Sequence, residues 1–208
     1  MKNIFIVSLA LLSVTTGCKK NTVTDHSPSV KGTVWVGSFS YTSASSEPYS
    51  LQVSDNGSFT WREYNGSFPG TWKLEGKQLT LTFTSGKLLK ADISNDTMLV
   101  NIQNNVSNGW FVTDGQLNKA TGQTLSGTFW KSNSETLIFL GSQVNCYGGE
   151  FSGLSAVNEY SWEAGALSLP TPVYRDRYFF FGVLMPSGKS LKLIAKNFDA
   201  HVFELFKQ

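Results

Sequence analysis

The sequence predicts an all-β protein: after a short leader and tether, two tandem small antiparallel meander barrels. Three observations carry this. From Gly32 onward, short runs of β-branched and aromatic residues alternate with polar ones and are separated by Gly, Asn, Asp and Ser turns. No longer window shows an apolar stripe at helical spacing, so little helix is expected beyond short turns. An opening motif also returns, with Gly32-Thr33-Val34-Trp35 echoed by Gly127-Thr128-Phe129-Trp130.

The first segment, residues 1–17, combines the basic start Met1-Lys2-Asn3, the apolar run Ile4 to Leu12 and the small residues Thr15-Thr16-Gly17. The run is far shorter than the ~20 residues of a membrane-spanning helix, so a cleaved secretory signal peptide is expected. Gly17-Cys18 resembles the lipobox of bacterial lipoproteins, with Thr15 where Leu is usual. The resemblance implies acylation of Cys18, by palmitate-type chains, and membrane anchoring in a Gram-negative envelope. Two or more chains give a stable anchor where one does not. Lys19-Lys20-Asn21, basic rather than acidic, resembles lipoproteins kept on the periplasmic face of the outer membrane.

Residues 18–31 lack periodicity and read as a flexible tether, with His26 a solvated side chain within it. The first module spans 32–120. Thr33 to Tyr41 alternates imperfectly. Tyr49 to Ser54 alternates cleanly, Asp55-Asn56-Gly57 supplies a tight hairpin, and Phe59 to Arg62 resumes the period of two. Strands follow at Thr71–Leu74, Gln78–Phe83, Leu88–Ile93, Met98–Ile102 and Trp110–Thr113. The second module, 121–208, repeats the outline. Leu137-Ile138-Phe139 matches Leu51-Gln52-Val53, and Glu159 to Glu163 with Ala166 to Leu169 matches Gly70 to Leu74 with Leu79 to Leu81. Tyr178–Val183, Leu191–Ile194 and Val202–Phe206 complete it. A single larger barrel would want fewer and longer strands, so two modules are expected.

A Gly-x-x-Trp opening, an apolar strand, an Asp-Asn-Gly turn, then Gly70-Thr71-Trp72 and Leu79-Thr80-Leu81 together resemble the small lipocalin-like domains of bacterial lipoproteins. The resemblance covers 32–115 well and 126–208 more loosely. It implies a closed or nearly closed barrel in each half, which removes exposed strand edges. It carries no catalytic set.

Composition excludes several classes. Lys and Arg number 17 against 15 Asp and Glu, so nothing electrostatic favours nucleic acid as a partner. There are two cysteines, Cys18 and Cys146, so no disulfide framework is expected. Cys146 alternates with Val144 and reads as a buried strand position rather than a nucleophile. The two histidines, His26 and His201, are too few and too far apart for a zinc cluster, and no metal or other cofactor is expected. Nucleophile elbows and phosphate loops are absent from the sequence. Glycosidase chemistry needs two carboxyl groups at a set separation, and Glu63, Glu150, Glu159 and Glu163 are the candidates; solvated strand faces are the expectation for them. Asp96-Thr97-Met98 resembles a short O-glycosylation acceptor, and equally a turn entering a strand.

Aromatic content is high, with six Trp, seven Tyr and 15 Phe, and Trp35, Trp61, Trp72, Trp130 and Trp162 are expected to face inward. Trp110 follows the amide-rich run Asn104 to Gly109, which suits a ring at a barrel mouth or a plain turn. Tyr174-Arg175-Asp176-Arg177-Tyr178, after Pro170 and Pro172, suits an anion or a partner, or an exposed connection with a local ion pair; Trp110, Arg175 and Arg177 are the candidate ligand-binding residues. A non-enzymatic envelope lipoprotein binding a small apolar or glycan ligand is the leading expectation. The alternative is a protein-protein interaction module with filled barrels. Interior volume separates the two: a barrel packed by its own aromatics would be a scaffold, whereas a cavity of roughly 300 Å³ or more would support ligand binding.

Overall fold

The computed structural model describes residues 28–41, 46–105, 110–151, 157–170, 178–196 and 200–208. Cys18, His26, Arg175 and Arg177 lie outside these residues. Strands β1 (Thr33–Ser40), β2 (Glu47–Val53), β3 (Ser58–Glu63), β4 (Gly66–Glu75), β5 (Gln78–Phe83), β6 (Leu88–Ser94), β7 (Met98–Asn104) and β8 (Phe111–Leu117) form an antiparallel meander. It closes on itself, because β1 pairs with both β2 and β8. The second half contains β9 (Phe129–Lys131), β10 (Thr136–Leu140), β11 (Gln143–Tyr147), β12 (Val157–Glu159), β13 (Ser161–Glu163), β14 (Ala166–Pro170), β15 (Tyr178–Leu184), β16 (Ser190–Lys196) and β17 (Ala200–Lys207). No α-helix occurs among the described residues; one 3-10 turn spans Gly149–Phe151.

The second sheet runs β12-β11-β10-β9-β17-β16-β15-β14-β13 and opens between β12 and β13. Those two strands are consecutive and separated only by Tyr160. β12 pairs with β11 and β13 with β14, the two roles that unbroken β4 fills between β3 and β5. The second sheet is thus a nearly closed barrel on the same plan, and the all-β, two-barrel architecture is the one the sequence predicts.

Hydrogen bonding repeats with the topology. Thr33 Oγ1 donates to Val30 O (2.5 Å) and accepts from the Trp35 indole (2.9 Å). In the second barrel Thr128 Oγ1 donates to Leu125 O and accepts from the Trp130 indole (2.7 Å). Each Trp therefore enters its core with its one polar atom satisfied. The glycine before each, Gly32 (φ 68°) and Gly127 (φ 77°), takes the left-handed conformation that starts the strand. The 4–5 and 13–14 hairpins align Glu75 with Glu163, since each faces the first residue of its partner strand. Tyr160 thus stands where Trp72 stands, and Trp162 where Leu74 stands, one position from the sequence match of 159–163 with 70–74. Trp72 and Trp162 are only half-buried; their indoles donate to Ser54 O and Gln123 O, each at 2.9 Å.

Closure of the first barrel depends on a close approach of β1 to β8. Gly37 faces Gly115, and a Cβ on Gly37 would lie 2.2 Å from Asp114 O. A bulge at Ser38 and Phe39 follows, pinned by Ser38 N donating to Asp114 Oδ1 (2.8 Å).

The barrels pack against each other. Val34 and Val36 on the outer face of β1 meet Ala166, Phe181, Val183 and Ile194 of the second barrel, with Tyr64 in the same cluster. Polar bonds surround this patch: Ser50 Oγ donates to Ala164 O (2.7 Å), Lys192 Nζ to Ser38 Oγ (2.6 Å), and Arg62 pairs with Glu163. Strand β1 is therefore covered on both faces, which is why its sequence alternates imperfectly.

Candidate functional site

Along β3 the period of two sends Phe59, Trp61 and Glu63 to the inside. Their exposures are 1%, 2% and 1%. The inward row therefore starts with two rings and ends, at the barrel mouth, with a carboxyl group. Trp61 is the hub of the interior: Tyr49 stacks on it at 3.8 Å, and Phe39, Phe83 and Trp110 meet it edge-on at 5.5–6.0 Å. Trp35, Leu51, Val53, Leu79 and Leu81 are buried in the same core.

Above Trp61 a cavity of about 120 Å³ remains, walled by Phe68, Phe83 and Trp110, with Glu63 on one side and Ser85 and Lys87 of the β5–β6 turn at the rim. Trp110 is 2% exposed and packs edge-on against Phe83 at 5.5 Å. Asn104, from the amide-rich run, donates to Trp110 O (2.5 Å) and fixes the entry to β8. The Lys87 ammonium sits 5.0 Å from the Trp110 ring centre and 5.9 Å from that of Tyr41.

Glu63 is the unusual member. Tyr41 Oη donates to its Oε1, while Oε2 is buried with no hydrogen-bond partner among the described residues. Burial raises its pKa to about 7; the Tyr41 hydrogen bond opposes this, Glu47 of β2 adds to it, and the Trp61 indole and the Lys87 ammonium oppose it further. The Tyr41 phenol is itself pushed far up, by burial first and by Glu63 second. The site thus offers ring walls, a carboxyl able to change charge near neutrality, and an ammonium at its rim. Its volume resembles the ~150 Å³ apolar cavity that takes one benzene ring and falls below the ~300 Å³ of ordinary ligand pockets. One ring or branched end group fits; a lipid chain does not.

The other sequence candidates scatter. Trp110 lines the cavity; Arg175, Arg177 and Cys18 lie outside the described residues. His201 is exposed on β17. Cys146 is buried on β11 and burial raises its thiol to about 12, while Asn158 Nδ2 lies 3.8 Å from its sulfur. Glu159 is exposed and Glu163 is tied to Arg62. Glu63 departs from the solvated face expected of it, and the signal was present: it is two residues beyond Trp61 on an alternating strand. Glu47 and Lys87 were not singled out, because nothing local marks them. No group of three or more metal-ligating side chains occurs among the described residues.

What fold and site define is a protein of two antiparallel β-barrels in tandem, compatible with a lipocalin-like fold, with one narrow aromatic cavity at the mouth of the first barrel. Compared with protein families, with curated proteins and with solved structures, the chain gives no match in any of the three.

Proposed function

We propose that this is a membrane-anchored envelope lipoprotein, lipidated at Cys18, that binds a small ligand without catalysing a reaction on it. The leader and Gly17-Cys18 support the anchor and the outer-membrane location. The observation that carries binding is the cavity above Trp61, where three further rings and a buried carboxyl with a spare oxygen converge. A cavity of about 120 Å³ admits one end group of the ligand, and the remainder stays outside the barrel.

An NMR titration of the full chain in an uncharged detergent tests this, with tetramethylammonium chloride, tert-butanol, methyl glucoside and decanoate as probes. Saturable shifts of the Trp61 and Trp110 indole resonances are expected with at least one probe. Silence with all four overturns ligand binding at this cavity. Mass spectrometry of the purified protein tests the anchor, and a mature chain without acyl groups on Cys18 overturns it.

A second reading, an interaction module working through its outer wall, is favoured by one observation. Phe129, Ile138, Asn145 and Val157 form a row straight across β9 to β12, and Phe129 and Val157 are exposed. A saturable pull-down lost on Val157→Asp supports that reading.

A further inference from the structure

We propose that the cavity at the mouth of the first barrel takes an organic cation, the alkylammonium end of a small molecule, with the surrounding rings as its walls and Glu63 Oε2 as its counter-charge. This rests on reading the cavity as a ligand site.

Four observations lead there. First, a carboxylate oxygen that is buried, lines a cavity and makes no well-formed hydrogen bond among the described residues, the Trp61 indole nearby notwithstanding, leaves a place for a donor or cation brought from outside. Second, cations are attracted to ring faces, and the molecule already places one there: Lys87 extends its ammonium over Trp110 and Tyr41 from the β5–β6 turn. Lys87 occupies the place of the ligand's charge when no ligand is bound, and its long flexible stem lets a better-fitting cation displace it. Third, the charged and titratable groups facing Glu63 are Tyr41 at the end of β1, Glu47 on β2 and Lys87. With Glu63 ionised and Tyr41 neutral, the carboxylate in the cavity attracts a positive charge.

Fourth, the fold does not require the carboxyl. Leu51 pairs with Trp61 as Leu137 pairs with Cys146, so two residues further on Glu63 corresponds to Gly148. At the same end of the second barrel, Phe151 from the 3-10 turn packs on Phe180 at 5.4 Å and on Phe203 at 5.6 Å. A buried acid, Glu135, does lie beside Gly149, but Ser132 and Ser134 donate to its two oxygens, whereas Glu63 Oε2 makes no hydrogen bond among the described residues.

The test is the same titration of the full chain, read on the Trp61 and Trp110 indoles. Tetramethylammonium should bind, and tert-butanol, its uncharged counterpart in shape, should bind about tenfold more weakly. Affinity for the cation should fall about tenfold from about pH 8.5 to about pH 5.5, as Glu63 takes up its proton. Glu63→Gln should lose that pH dependence. Lys87→Met, a substitution at the cavity's rim, should tighten the cation roughly threefold by vacating the ring face. Equal binding of tert-butanol or methyl glucoside overturns the cation and leaves the cavity a ligand site. Weaker cation binding by Lys87→Met overturns it too, since Lys87 would then be a ligand contact. No binding by any probe overturns both readings.

Discussion

The two barrels are copies of one frame that differ at one end. Both start from a Gly-Thr-x-Trp turn with the same pair of hydrogen bonds, and both place a Leu opposite that Trp on the next strand. On the third strand they part. Trp61 and Glu63 end the inward row of the first barrel, Cys146 and Gly148 that of the second. The same topology therefore supports a mouth whose acid keeps an unbonded oxygen under ring walls and a mouth where Phe151 packs and Glu135 is bonded by Ser132 and Ser134. Whatever the frame needs for stability is common to both, and what differs is free to serve binding.

The largest test is whether the shared frame is energetically shared. Trp35→Ala and Trp130→Ala each remove a fully buried indole at equivalent positions, and each should cost about 3–5 kcal/mol. Urea unfolding of the full chain followed by circular dichroism checks this. Because Val34, Val36, Phe181, Val183 and Ile194 bind the barrels into one apolar cluster, both variants should shift a single transition. Two separated transitions would mean that the interface does not couple the copies.

Most of this frame was legible because it is periodic: turns at Gly, Asn and Asp, and alternation between them. What was not legible came from tertiary cover. Strand β1 and the run Phe180-Phe181-Gly182-Val183-Leu184 are apolar on successive residues because the other barrel covers their outer faces, and local pattern cannot name the cover. The duplication was visible at Trp35 and Trp130, yet Trp162 was placed one residue off, since register there is set by the Ala164-Gly165 turn rather than by aromatic type. Trp110 was singled out from its neighbours in sequence. As an isolated carboxyl Glu63 suggests a solvated face, although alternation with Trp61 points it inward. Lys87 carried no local signal at all; only closure of the barrel brings it to Trp110.

The second test isolates the mouth from the frame. The Glu63 carboxyl has a pKa of about 7 in the folded chain against an ordinary 4.5. Between those values the folded state keeps a proton that the unfolded state has released. This contribution is complete below about pH 4.5, declines as pH rises and is lost above about pH 7, a difference on the order of 3 kcal/mol. Stability measured from about pH 4.5 to pH 8 should therefore fall. Glu63→Gln should flatten the curve. An unchanged slope in Glu63→Gln would assign the dependence to another group and remove the contrast between the two mouths.

The smallest effect concerns the polar rim between the barrels. Arg62 donates to Gln52 Oε1 (3.0 Å) as well as pairing with Glu163, whose side chain is 67% exposed. Water screens such a pair and two long side chains lose freedom in forming it, so Arg62→Ala should cost about 1 kcal/mol or less. Phe181→Ala, in the apolar patch beside it, should cost about 3 kcal/mol. That ranking is the point of the measurement. The apolar patch covers outer faces of β1, β15 and β16, whereas the ion pair touches only its edge. If Arg62→Ala proved the costlier, the copies would be joined by charge, and their association would weaken with salt. Urea midpoints for the two variants at low and high salt decide it.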